Sequence, residues 1–131
     1  MATIEEGLYA ALADTGGRIY GLVEDRIYPA VIPQEADLPA MAYQRVSANR
    51  TPGHGGTVGL AEGRIQVTIS ADEYRTAKAV AEAMREIFPF RGILGGLVQV
   101  YAGWVENEVD GYGPQIEAPT VRLDLWFMYA E

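Results

Sequence analysis

The chain has 131 residues, 49% of them hydrophobic and 21% charged, with a formal net charge of −8 and no cysteine. That length suits one domain able to bury about two-thirds of its unfolded surface, while the composition excludes disorder, disulfides, thiolate metal sites, cysteine nucleophiles and an apolar run long enough to cross a bilayer. The ten basic residues, nine of them arginine, are scattered along an acidic chain; clustered cations are what neutralise phosphates, so nucleic acid is not expected as a bound ligand.

Thr3 and Glu6 form a capping box ahead of Ile4, Leu8, Ala11 and Leu12 at helical spacing, which predicts a short amphipathic helix ended by Asp14, Thr15, Gly16 and Gly17. No basic start, apolar stretch and cleavage site precede it, so synthesis in the cytoplasm is expected. A helical turn over Ile19 to Val23 follows. Arg26 to Val31 reads as extended, and Pro29 with Pro33 confines it to a sheet edge or an arm. Ala40 to Ala48 and Arg64 to Ser70 read as hairpin partners, the second alternating Ile65, Val67 and Ile69 with Arg64, Gln66 and Thr68. Between them, residues 49–63 hold glycines at 53, 55, 56, 59 and 63, a composition that predicts a mobile projecting loop becoming ordered against a partner. Arg50, His54 and Thr57 are its candidate contact residues.

Ser70 and Glu73 read as a second capping box. The helix after it places Tyr74, Ala77, Val80, Ala81, Met84, Ile87 and Phe88 on one stripe, pairs Lys78 with Glu82 on its outer face, and stops at Pro89. Beyond Gly92, Gly95 and Gly96, Leu97 to Asp110 reads as a long strand turning near Asp110 to Pro114 into the last strand. Strict alternation puts Val98, Val100, Ala102 and Trp104 on a face that continues as Glu106, Glu108 and Asp110. The hairpin is therefore expected to outrun the core as an arm with a carboxylate ladder. In the last strand, Val121, Leu123, Leu125, Phe127 and Tyr129 share one side and Arg122, Asp124, Trp126 and Met128 the other. A solvated back face carries polar residues only, so Trp126 and Met128 imply a cover. It is either a second polypeptide, since Trp, Met and Arg are enriched at contacts, or a loop or helix of the same chain. The fold class expected is α+β: a mostly antiparallel sheet of four to five strands with two main helices on one face, a projecting hairpin and a Gly-rich loop, in a single domain over 1–131.

Chemistry is sparse. His54 is the only histidine and sits among glycines, with no serine or cysteine at a nucleophile spacing. The segment 53–59 lacks the lysine and the strand-to-helix setting of a phosphate-cradling loop. Glu106, Glu108 and Asp110 lie along one strand and so cannot wrap a calcium ion. No catalytic, cofactor-binding or metal residue is assigned, and no enzyme is expected.

Three stretches carry a resemblance: Gly21-Leu-Val-Glu-Asp-Arg-Ile-Tyr-Pro29, then Leu38-Pro-Ala-Met-Ala-Tyr-Gln-Arg-Val-Ser47, then the strand Arg64 to Ser70 running into the Tyr74 helix. The pattern resembles the tail terminator, or tail completion, family of long-tailed bacteriophages and gene transfer agents over nearly the whole chain, and the Val-Arg-Leu-Asp-Leu ending is similar too. The resemblance implies a non-enzymatic, cofactor-free α/β domain that assembles as a hexameric ring at the head-proximal end of the tail. There it stops growth of the tail tube protein and joins the head–tail connector, so the expected place is the virion, after synthesis in the bacterial host. On that reading Arg122, Asp124, Trp126 and Met128 are candidates for the subunit interface. Glu106, Glu108 and Asp110 are candidates for lining a channel through which DNA slips without specific binding. A head completion or connector ring protein, or a minor capsid component, is the alternative, and an enzyme or ligand-binding domain unrelated to virions is the third class.

Overall fold

Residues 3–53, 56–114 and 117–130 are described in the computed structural model, with side chains described for all of these except 50–53 and 56–59. The first element forms as its cap dictates. Glu6 N–H donates to Thr3 Oγ1 at 3.2 Å and Thr3 N–H donates to Glu6 Oε1 at 3.1 Å, opening α1 (Ile4–Leu12). These bonds hold the Glu6 carboxyl below its ordinary pKa, the Thr3 backbone contributing most. After α1, Gly17 N–H donates to the Asp14 carbonyl at 2.9 Å and α2 (Arg18–Val23) follows. The extended segment before Pro33 is β1 (Ile27–Pro29), an edge strand parallel to β2 (Ala40–Gly53).

Antiparallel pairing joins β2 to β3 (Gly56–Ser70) and β3 to β6 (Ala118–Ala130). Between them in sequence come α3 (Tyr74–Ile87), β4 (Phe90–Leu94) and β5 (Val98–Gly113). The six strands make one mixed sheet in the order β1-β2-β3-β6-β5-β4. The α+β expectation holds, with one strand more than the sequence suggested. The added strand is β4, in a stretch ahead of Gly95 and Gly96 to which the sequence assigns no element.

Three other expectations are corrected. Residues 49–53 and 56–63 are strand, paired as Asn49 with Glu62, Arg50 with Ala61 and Gly53 with Gly56, so no irregular loop spans 49–63. From Leu60 onward β6 supplies a third strand, with Ala61 opposite Tyr129 and Gly63 opposite Phe127, while residues 56–59 continue the hairpin against β2 alone. A Cβ on Gly63 would stand 3.2 Å from Tyr129 Cε1, so here the small residue admits a ring against the backbone. The Ser70 capping box does not form; Glu73 is the N-cap without a side-chain bond, and Ser70 is fully buried. Lys78 reaches across to β5 instead of pairing with Glu82.

One core lies between the sheet and its helices. Ile4, Leu8 and Leu12 of α1, Ile19 and Val23 of α2, and Val80 and Met84 of α3 pack with Ile65, Val67 and Ile69 of β3 and with all five inward residues of β6. The 3.6-residue stripe of α3 and the strict alternation of β6 are thus two sides of the same contact.

Candidate functional site

The helices cover one face of the sheet and leave the other open. Along β6, Val121, Leu123, Leu125, Phe127 and Tyr129 are buried, while Arg122, Asp124, Trp126 and Met128 are half-exposed. Trp126 lies opposite Trp104 of β5, and their rings stack at 4.2 Å between centroids with 27° between planes. Trp104 remains 42% exposed. Neither tryptophan is sealed under a helix, so the open face keeps a polarizable apolar centre of the residue types that dominate contact energetics.

Charges frame this centre. Arg64, opposite Trp126 on β3, has its guanidinium 3.5 Å from Glu106 Oε1, and Arg122 Nε lies 3.6 Å from Asp124 Oδ1. Asn107 Nδ2 donates to Asp124 Oδ2 at 3.5 Å. All four charged side chains keep solvent access, so each pair contributes little to folding.

Trp104 was missed as a surface residue because β5 does not alternate strictly. Its register against β6 shifts between Val100 and Ala102 and again between Val105 and Asn107. Each inserted residue moves everything after it to the opposite face. Val98 and Val100 face the core, then Gly103 and Val105 do, and Trp104 is turned outward. The signal was Gly103. A Cβ there would stand 2.9 Å from Phe127 Cδ1, and a glycine inside a strand marks a bulge or a close approach.

The same shifts correct the carboxylate ladder. Glu106, Glu108 and Asp110 do not share a face: Glu106 sits with Arg64 on the open side, whereas Glu108 and Asp110 pair opposite the core residues Leu123 and Val121 and meet α3. Lys78 Nζ donates to Glu108 Oε2 at 2.5 Å and to Asp110 Oδ1 at 3.2 Å. Arg85 also donates to Glu108, and the Tyr74 hydroxyl to Asp110. The Lys78 bond holds the Glu108 carboxyl below its ordinary range, the Tyr74 bond does so for Asp110, and Lys78 is itself pushed up to about 12, chiefly by Glu108. The hairpin is therefore braced by the chain's own helix. Of the candidate contact residues in the glycine-rich stretch, His54 and the side chains of Arg50 and Thr57 lie outside the described residues.

A pocket of about 270 Å³ between residues 30–32 and the β5–β6 turn is lined by Thr68, Ser70 and Thr120 as its hydroxyl groups, and none of its lining residues is an acid or a base. Among the described residues, no group of three or more His, Asp or Glu is placed to hold a metal ion, and no helix is long and apolar enough to cross a membrane.

The fold is similar to that of a chain in a gene transfer agent particle. That structure is the virion of a native gene transfer agent, and the superposition covers 100% of both chains with a TM-score of 0.68 at 15% sequence identity. No protein-family model and no curated protein matches the chain. At that identity the likeness establishes the shared fold, from the first helix to the closing hairpin.

Proposed function

We propose that this protein is a structural, non-enzymatic component of a virion, and more narrowly the ring that caps the head-proximal end of a tail tube. The observation that carries the reading is the full-length match to a chain of a gene transfer agent virion, with neither chain leaving a domain unmatched. The open sheet face adds physical support. A closed ring needs each copy to offer two different surfaces, and a face centred on stacked tryptophans is one that gains by being covered.

In this account Arg122, Asp124, Trp126 and Met128 form part of the contact between copies of a hexamer. The assembly ends growth of the tail tube protein, presents a surface to the head–tail connector, and lets DNA pass without specific binding. Glu106, Glu108 and Asp110 serve as lumen groups only in reduced measure, because Arg64 offsets Glu106 on the open face and Lys78 and Arg85 offset Glu108 and Asp110 on the helix side. Mixing the purified chain with tail tube subunit tests the role. Tubes that stop growing at a length set by added chain support the terminator. Unaffected tubes together with binding to capsid portal complexes would transfer the protein to the head side, as a connector ring or minor capsid component.

A further inference from the structure

Both margins of the sheet end in a short strand that covers only part of its neighbour. β1 pairs with Met41 to Tyr43 of β2, and β4 pairs with Val98 to Gly103 of β5. Beyond them, among the described residues, no strand pairs with the outer edge of β2 from Gln44 to Gly53 or of β5 from Trp104 to Gly113. The two free spans have the same length, ten residues each. Unpaired edges of this length are templates for another strand, and monomeric proteins blunt them with lysine, proline or a covering element. The β5 span contains neither lysine nor proline. Pro52 removes one donor from the β2 span and its register shifts between Arg45 and Ser47 and between Arg50 and Pro52, which leaves Ser47 to Arg50 regular, while the β5 shift beside Glu106 leaves a continuous run from Asn107 to Gly113.

We infer that the ring closes by strand addition, the free edge of β5 in one copy pairing antiparallel with the free edge of β2 in the next. This rests on the ring reading and concerns the sheet edges, not the open face. The direction follows from the sheet itself. β2, β3, β6 and β5 are joined by three antiparallel pairings, so β5 runs opposite to β2, and a neighbour that is not turned over offers its β2 antiparallel to β5. Charge adds a weaker preference. The β5 span carries Glu106, Glu108 and Asp110 and no base, whereas the β2 span carries Arg45 and Arg50 and no acid, while Arg64, Lys78 and Arg85 offset part of the first set and Glu5 lies 3.7 Å from Arg45. Two β5 edges would set like charges opposite each other, which destabilises a strand pair. A β5–β2 contact is heterologous and can propagate into a ring. Because β1 and β4 each cover the first part of strands that run in opposite directions, the free spans lie toward opposite ends of the sheet, and neighbours must be offset along the strands. Stagger of this kind accompanies closure of a sheet into a barrel.

Cysteine cross-linking of the full chain tests this directly, since it has no native cysteine. Asn49 and Val109 both lie on the open face and near the middle of their spans, so N49C/V109C and the register-shifted S47C/V109C probe the contact, with N49C/E35C as the mismatched control. Rings are first scored by electron microscopy of the concentrated protein, and hydrogen exchange is then compared between ring and monomer. The expected result is a disulfide ladder ending in a closed species for one of the probe pairs, none for the control, and slowed exchange over 104–113 on ring formation. Rings without cross-links and without slowed exchange would overturn strand addition while leaving the ring intact. Failure to form any ring would overturn the ring reading, and the strand pairing with it.

Discussion

Trp104 and Trp126 stack on a face that the helices leave uncovered, so in the proposed ring their largest contribution goes to assembly. Replacing Trp126 by alanine removes an aromatic pair worth about 0.5–1.5 kcal/mol in the isolated chain. At the centre of an assembly contact the same change costs about 2 kcal/mol or more. Thermal melting of the monomer is therefore expected to shift little, while sedimentation shows ring formation weakened by at least about tenfold, 1.4 kcal/mol being one decade. Equal losses in both measurements would assign Trp126 to folding alone. Gly95 makes the opposite case. It has φ +59°, and a Cβ there would stand 2.4 Å from the Gly7 carbonyl oxygen, a backbone atom that cannot turn aside. Gly95→Ala is expected to lower stability by about 2 kcal/mol or more, read as the urea midpoint, with assembly affected only through folding.

At the scale of elements, the brace between α3 and β5 decides how the long hairpin is held. Glu108 has a folded-state pKa below its unfolded value of about 4.3. Its contribution is therefore present above that value and lost as pH falls through the lower folded value. Lys78 works in the other direction: raised to about 12, it contributes fully below its unfolded value of about 10.4 and loses that contribution as pH rises through about 12. Glu108→Gln is expected to flatten the acid limb of a plot of urea midpoint against pH and to cost about 1 kcal/mol or less at neutral pH, because the group is partly solvated. An unchanged acid limb would show that the pair does not brace the hairpin.

Elements whose pattern is set by one neighbour were legible in the sequence. The Thr3 capping box, the α3 stripe from Ala77 to Met84 and the alternation of β6 each satisfy a single partner and form as expected, whereas Tyr74 at the start of that stripe is exposed and turns to Asp110. What escaped depends on two neighbours at once. The shifts in β5 answer to Phe127 pressing on Gly103, and they moved Trp104 outward and Glu108 and Asp110 toward α3. β3 passes through Gly63 with β6 paired along it, and β4 forms at Phe90–Leu94 although Gly92 is at its centre and Gly95 follows its end. The pair that makes the open face distinctive, Trp104 on Trp126, was for that reason only half visible.

Among the described residues, the sheet has one face covered by helices and one left open, and is bounded by two partly free edges. That is a poor design for a solitary domain and a suitable one for a copy in a closed assembly. The most direct measurement is single-particle cryo-microscopy of the chain mixed with tail tube subunit. The account expects a sixfold ring seated at one end of each tube, with the Trp104–Trp126 face covered within the assembly. Dispersed monomers beside tubes that carry nothing at either end would contradict it.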